Sequence, residues 1–464
     1  MDASGSSSSY PRGWFAVACA STLAREVVRT EHFFGRDIVL FRTASGQARA
    51  IQSWCPHLGT HLGTGTVVGD TVRCAFHGWR FDGGGRCVAL GRPGKVPPGA
   101  HASAWQVRER RGMIFVWHDP HGGPPDHEVE ELPTDGWTPL RVQTWTGRYR
   151  CDDVIENAFD APHHAFVHHS DNPRIVRAPR FAAASADLVL SFERAGDEIG
   201  FPGQTSYVEL HTEALGLGIL RFHTKVPEHG IETLHCAYIT PIDDHTVHVW
   251  GTVSTRALPD PDFTEWLYGQ MFAAFVREYG NDHRLLQGRR HLEVPALAAG
   301  DRPIADFRRW ARRFYAPTSS TSREAPALDE HSELEGEPIA APARARSALR
   351  ESVVRVASVA EYIDSLPQRF VASAAADVDA VVQWTIEGAE GASFFASIDR
   401  GRLRVERGEH EAPSVHLRMQ ASDFVRVVNG EKSGMPLFVL GKARLRGDYH
   451  LALRLQQILP PRRA

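Results

Sequence analysis

Apolar residues come in strand-length runs bordered by Gly and Pro over roughly the first 120 positions. Examples are WFAVA, DIVLFR, ARAIQS, SAWQVRE and MIFVWHD. Runs of that length with such borders predict β-strands. Longer candidates follow between 130 and 260, among them IETLHCAYITP and HTVHVWGTVS. The spacing then turns helical in FTEWLYGQMFAAFVREYGNDHRLLQGRR, residues 263–290. From 316 to 347 the chain is rich in Pro, Ala, Ser and Glu. That stretch predicts a solvated linker lacking the apolar residues needed to join two cores. The pattern resumes after Val353 with helical SVAEYIDSLPQRF and the strands DAVVQWTIEG, ASFFASIDRGRLRVERG and SVHLRMQ. The expected architecture is α+β and multidomain. It has strand-rich units at 1–130 and 131–316, a linker at 317–352 and a small α+β unit at 353–464.

Length and charge narrow the class. A chain of 464 residues exceeds what one core can organise. Lys plus Arg number 52 against 56 Asp plus Glu, a formal net charge of −4, which argues against nucleic acid as a partner. No apolar run reaches the roughly 18 residues of a membrane span. The opening MDASGSSSSYPRGW has neither the basic nor the apolar region of a secretory signal. Six scattered cysteines predict a reduced, cytoplasmic protein rather than a disulfide scaffold.

The first chemistry lies in CPHLGTHLGTGTVVGDTVRCAFHGW, Cys55–Trp79. Cys55 and His57 are one residue apart, Cys74 and His77 two, and sixteen glycine-bearing residues separate the pairs. A disulfide would leave two matched histidines unexplained. A tetrahedral Cys2His2 zinc site is the competing reading, although zinc fingers usually group like ligands together. Here each loop offers one thiol and one imidazole. That suits a Rieske [2Fe–2S] centre, where two thiolates hold one iron and two imidazoles the other. His61 and Cys87 fall outside the pattern.

A second cluster lies in ENAFDAPHHAFVHH, Glu156–His169, where Asn157, Asp160, His163 and His168 fit N-x2-D-x2-H-x4-H. Two imidazoles plus a carboxylate make a facial triad with coordination positions left open. Residues five apart stand about 140° apart on a regular helix, so His163 and His168 converge only where the helix ends or bends. Pro162 supplies a reason for it to do so. His164 with His169 is a rival register.

These motifs, together with YPRGWF, GMIFVWHD and VPALAAGDRPIADFRRWARRFY, resemble the Rieske non-heme iron oxygenases. The subgroup is that of 3-ketosteroid 9α-hydroxylase and the cholesterol 7-desaturases, although Arg302 stands where a glycine is usual. The resemblance implies an all-β Rieske domain and an α+β helix-grip catalytic domain. It implies Cys55, His57, Cys74 and His77 as cluster ligands, and His163 and His168 on a mononuclear Fe(II). The remaining carboxylate ligand is placed at Asp282, with Glu278 and Asp301 as rivals. The family also implies a head-to-tail homotrimer in which Asp160 bridges a cluster histidine to an iron histidine of the neighbour, with Asn157 close by.

VAEYIDSLPQRF, MQASDFVRVVNGE and LFVLGKARLRGDYHLALRLQQIL resemble the sterol carrier protein domain, which implies an apolar tunnel for sterols or acyl lipids. The same residues would serve as the core of any small domain. Together the resemblances imply a terminal oxygenase that uses O2 on a C–H bond of a sterol or steroid-like lipid. The outcome is hydroxylation, C-4 methyl oxidation or desaturation. No dinucleotide-binding G-x-G-x-x-G is found, so electrons from NAD(P)H require a separate reductase, with or without a ferredoxin. Two other classes stay open: an aromatic dioxygenase, and a non-catalytic electron or lipid carrier.

Overall fold

The structure is a computed structural model that describes residues 10–195, 205–315, 355–432 and 434–460. The predicted linker lies outside the described residues. Strands β1 (Gly13–Cys19), β2 (Val28–Phe33), β3 (Arg36–Arg42), β4 (Ala48–Gln52), β5 (Thr66–Val68), β6 (Thr71–Arg73), β7 (Arg80–Phe81), β8 (Cys87–Ala89), β9 (Val107–Arg110) and β10 (Met113–His118) form three small antiparallel sheets. The predicted runs WFAVA, DIVLFR, ARAIQS and MIFVWHD fall in β1, β3, β4 and β10, and SAWQVRE overlaps β9. Two of the loops leave this unit from the end of β4 and from between β6 and β7, and they carry Cys55 and Cys74.

The second unit is one seven-stranded antiparallel sheet. Its strands are β11 (Arg141–Gly147), β12 (Asp171–Phe181), β13 (Ser185–Ala195), β14 (Thr205–Leu215), β15 (Ile219–Val226), β16 (Ile231–Pro241) and β17 (Val247–Thr255), in the order β11-β17-β16-β15-β14-β13-β12. Between β11 and β12 lie α1 (Cys151–Ala158) and α2 (His163–Phe166). The long helix α3 (Pro261–Gln287) packs on the sheet, followed by α4 (Arg302–Ala311). Asp260 starts α3 by accepting from the backbone N–H groups of Asp262 (3.0 Å) and Phe263 (3.2 Å), and Pro261 takes the first helical position. Gly251 lets α3 approach β17: a Cβ there would stand 2.6 Å from atoms of Phe275 and Trp145.

The third unit joins β18 (Asp379–Glu387), β19 (Ala392–Asp399), β20 (Arg402–Arg407), β21 (Val415–Gln420) and β22 (Ala443–Gly447) in the order β20-β19-β18-β21-β22, with β18 and β21 parallel. Helices α5 (Val359–Arg369), α6 (Ala421–Val428), α7 (Met435–Val439) and α8 (Tyr449–Ile458) complete it. Trp384 stacks on Phe394 at 4.9 Å in its core, with Tyr362 and Phe424 alongside.

Apart from the linker, the oxygenase core and the third unit also touch directly. Phe438 and Tyr449 each meet Phe263 of α3 with ring centroids 5.8 Å apart, and Tyr449 stacks on Trp266 at 5.3 Å. Met435 is buried in the core of the oxygenase part. The apolar residues that the linker sequence lacks are supplied by α7 and α8. A chain ending after Ser322 is expected to fold but to lose roughly 3 kcal/mol, from uncovering one or two large apolar side chains. Urea midpoints of the two lengths check this, and equal midpoints would show the contact to be energetically idle.

Candidate metal centres and the cavity between them

Both cysteine loops close by the same backbone turn. Cys55 N–H donates to Thr60 O (2.9 Å) and Gly59 N–H to Cys55 O (2.9 Å). Cys74 N–H donates to Trp79 O (2.8 Å) and Gly78 N–H to Cys74 O (3.1 Å). Gly59 (φ 72°) and Gly78 (φ 70°) hold the left-handed conformation that each turn needs, which glycine adopts without strain. The two turns bring the rings of His57 and His77 to 4.6 Å, and Trp79 stacks on His57 at 4.3 Å. Cys55 and Cys74 are buried and unpaired by any disulfide, whereas His77 is exposed. The buried Nδ1 of His57 has no hydrogen-bond partner. Burial, aided by the neighbouring Cys74, pushes the Cys55 thiol up to about 11, so loading a metal must displace protons. Two buried thiols, two outer imidazoles and an orphaned ring nitrogen fit a [2Fe–2S] cluster of the Rieske kind. His61 instead faces Asp37 (3.2 Å) and caps a short turn by accepting from Gly63 N–H.

In the second cluster α1 ends at Ala158, Pro162 starts the single turn of α2, and His169 reverses the chain at φ 52°. This is the break that a five-residue spacing requires. It brings His163 Nε2 to 3.2 Å from His168 Nε2 and His168 Nε2 to 3.3 Å from Asp282 Oδ1. Donors bound at right angles, about 2.1 Å from one metal, are separated by about 3 Å, so this corner fits a two-histidine, one-carboxylate site. His163 Nδ1–H donates to the Asp160 carbonyl, which leaves Nε2 as the free lone pair. Glu278 Oε2 lies 2.7 Å from His168 Nδ1, out of line for a hydrogen bond, and 2.9 Å from Arg194. Burial works against both charges. Even so, Asp282 and Glu278 hold His168 up to about 9, while His168 and Arg194 hold Glu278 down to about 2. Facing imidazole nitrogens need a positive charge between them: a proton in the metal-free chain, or a cation in its place.

The rivals separate. His164 is buried beside the pair with its ring stacked on Phe192 at 5.0 Å, and the three histidines form a cluster of close donor atoms. His169 is exposed. Asp301 accepts from Ala298 N–H and does not line the cavity described next. Behind the site, α1 buries Asp153 and Glu156 against polar partners: Asp153 faces His291 (3.0 Å), and Glu156 accepts from Arg289 and Arg308.

A cavity opens from this corner between α3 and the sheet. From α3 it is lined by Met271, Phe275, Tyr279 and Asp282, successive positions four or three apart on one helix face. Register explains its floor: Leu210 pairs with Thr224 and Thr224 with Thr233, while Phe222 pairs with His235. His235 Nε2 is 2.6 Å from Thr233 Oγ1, and burial holds the imidazole down to about 4. Asn157 also lines the cavity, whereas Asp160 lies just behind His163, its carboxyl raised by burial and opposed by His163.

The sequence of this chain matches the Rieske [2Fe-2S] domain at residues 13–99 and the 3-ketosteroid 9alpha-hydroxylase C-terminal domain at residues 116–315. The chain carries both domains of a Rieske oxygenase. The SCP-2 sterol transfer family matches its residues 363–460. The chain is 28% identical to a probable 3-ketosteroid-9-alpha-monooxygenase oxygenase component of Rhodococcus rhodochrous, over 66% of the chain and 80% of the relative. It is 27% identical to the corresponding component of Mycobacterium tuberculosis, over 70% and 86%. A cholesterol 7-desaturase of Hemicentrotus pulcherrimus matches at 24%, over 67% and 71%. Among solved structures, dicamba monooxygenase bound to dicamba shares the fold at 18% identity and a TM-score of 0.54, over 65% of this chain and 96% of that one. Pseudomonas putida NdmA with caffeine does so at 17% and 0.53, over 64% and 89%.

Sequence reasoning missed Arg194. Its signal was the two-residue period of LVLSFERA, which puts Arg194 on the same strand face as Leu188, Leu190 and Phe192. An arginine in that row has to be paired.

Proposed function

We propose that this Rieske oxygenase is the terminal component of a multicomponent system that oxidises a C–H bond of a neutral sterol or steroid-like lipid. In this reading Cys55, His57, Cys74 and His77 hold the cluster, and His163, His168 and Asp282 hold the mononuclear iron. When bound, the cluster relays electrons from a separate reductase, and the iron supplies oxygen activation. The chain's own residues do the rest. The Asp160 carbonyl fixes the His163 tautomer, and Glu278, paired with Arg194, sets a carboxylate against the His168 ring. Phe275, Met271, Leu210 and Phe222 exclude water from the space where the substrate lies.

The observation that carries the substrate class is the lining of that space. It is an apolar slot whose polar residues away from the metal corner, Thr224, Thr233 and His235, are uncharged. Its guanidinium, Arg194, is neutralised by Glu278. Such a slot suits a long lipid bearing a hydroxyl or carbonyl and disfavours a carboxylate. The names of the relatives, which are steroid and cholesterol oxidising proteins, point the same way. The cluster loops expose Trp54, Leu58 and Phe76 as well as His77, apolar surface suited to docking on another subunit. That supports a head-to-tail trimer with Asp160 bridging to the neighbour's cluster histidine. Among the described residues no helix is long and apolar enough to cross a membrane, and a cytoplasmic location is part of the proposal.

The test supplies purified protein with a surrogate reductase, NADH and O2. Sterols, 3-ketosteroids and an aromatic acid are offered in parallel, with products read by mass spectrometry. Oxygen-dependent oxidation of a sterol or steroid is expected, whereas turnover of the aromatic acid alone would overturn the substrate class. Glu278→Gln is expected to weaken mononuclear iron binding by about 10- to 100-fold with the cluster absorption unchanged. Iron titration of stripped protein checks it, and parental affinity would remove Glu278 from the ligand's support.

A further inference from the structure

The stripe on α3 does not stop where the cavity does. Stepping back by four residues from Phe275 and Met271, which line it, come Leu267 and Phe263, both buried. Phe263 is the residue that meets Phe438 and Tyr449 of the third unit. The floor behaves likewise. Val226 and Ile231 line the cavity and flank the turn Pro227–His229, and α7 packs on that turn. At Gly230 (φ 64°) a Cβ would stand 3.0 Å from Val439 Cγ1, and at Gly441 a Cβ would stand 3.1 Å from Pro259 Cβ. Both walls of the slot therefore run into the same contact, at the end remote from Asp282.

Helix α7 belongs to two cores at once. Met435 is buried among the oxygenase residues, while Leu437, two positions on, is fully buried in the core of the third unit. Phe438 packs against both. A five-residue helix shared in this way is held by few contacts on each side, so it can shift without unfolding either sheet.

We infer that the seam between α7 and α8 on one side and α3 with the 227–230 turn on the other is the route by which lipid passes between the third unit and the cavity, with α7 as its gate. This rests on the sterol reading above. An apolar ligand crossing there stays against Phe263, Leu267, Met271, Phe438 and Tyr449 and avoids water throughout, which is the condition for moving a water-insoluble molecule between two sites.

The experiment locks and loosens the seam in the full chain. In a Cys19→Ser background, because Cys19 is partly exposed, Phe263→Cys and Phe438→Cys are joined by a short bis-maleimide. The control is the same variant capped with N-ethylmaleimide. The probe is dehydroergosterol, offered from detergent micelles and from phosphatidylcholine vesicles, with uptake followed by stopped-flow energy transfer from tryptophan. The joined form is expected to take up sterol at least tenfold more slowly than the capped form from both sources. The pair Trp266→Ala with Tyr449→Ala, which loosens the seam without a linker, is expected to take it up severalfold faster. Equal rates in joined and capped forms, with sterol bound by both, would overturn the seam as a route and leave the sterol reading standing. No uptake by unmodified enzyme from either source would overturn both.

Discussion

Cys74→Ser is expected to bleach the protein. Its visible bands should vanish, and iron should fall from about three per chain to about one. The reasoning is local. Cys74 is 2% exposed and lies with Cys55 beneath the two imidazoles, so no solvent or outside ligand can take its place. A serine hydroxyl stays protonated at neutral pH and is a poor match for cluster iron. The loop itself should persist, because its closing bonds run through the backbone of Cys74, Gly78 and Trp79 and do not involve the thiol. Circular dichroism should therefore match the parent while absorbance and iron differ. A variant that keeps its colour and three irons would remove Cys74 from the ligand set. A parent protein that is colourless and carries one zinc would sink the cluster assignment.

The second large effect separates a ligand from a bridge. His163→Ala should lose the mononuclear iron and retain about two irons per chain, still coloured. Asp160→Ala should keep all three and lose steady-state turnover by roughly 100-fold or more. The contrast follows from which atom of Asp160 does what. Its backbone carbonyl, which alanine retains, receives the Nδ1–H of His163. Its carboxyl, largely buried beside His163, is what alanine removes. Single-turnover oxidation by enzyme reduced beforehand should fall less than steady-state turnover if the bridge carries electrons between subunits. Wild-type steady-state turnover by Asp160→Ala would end the bridging proposal.

Local features were the legible ones. IETLHCAYITP becomes β16 from its first residue to its last, because its apolar and β-branched content agrees with a central strand. The two loop motifs were readable because in each a thiol, an imidazole and a left-handed glycine are written within a few positions of each other. The convergence of His163 and His168 needed one inference, a helix break, and Pro162 announced it. The cavity was not legible. Thr224 and Thr233 are neighbours because β15 and β16 pair in one register, and nothing near either residue states that pairing. Arg194 and Glu278 sit on different elements and were visible separately, as a charge on a strand's apolar face and a carboxylate on a helix. Their meeting at His168 is a tertiary fact. Nor could Met435 and Leu437 be assigned to different cores, since both are large apolar residues on a short helix.

The straight face of α3 has a consequence for regiochemistry. From Asp282 back to Met271 the helix covers eleven residues, about 16 Å at its fixed rise. That is longer than a bare fused four-ring skeleton and matches one that carries an alkyl tail, with the metal corner at one end and a thioether at the other. A rigid molecule seated against it has little freedom except to slide lengthwise. Which carbon faces the metal corner is then set by where the far end of the ligand comes to rest. Adding bulk at Met271 shortens the ruler and pushes the skeleton toward the metal, while trimming it lets the skeleton retreat. The position of oxidation thus becomes a dimension that can be adjusted from a residue about 16 Å away from the bond that breaks.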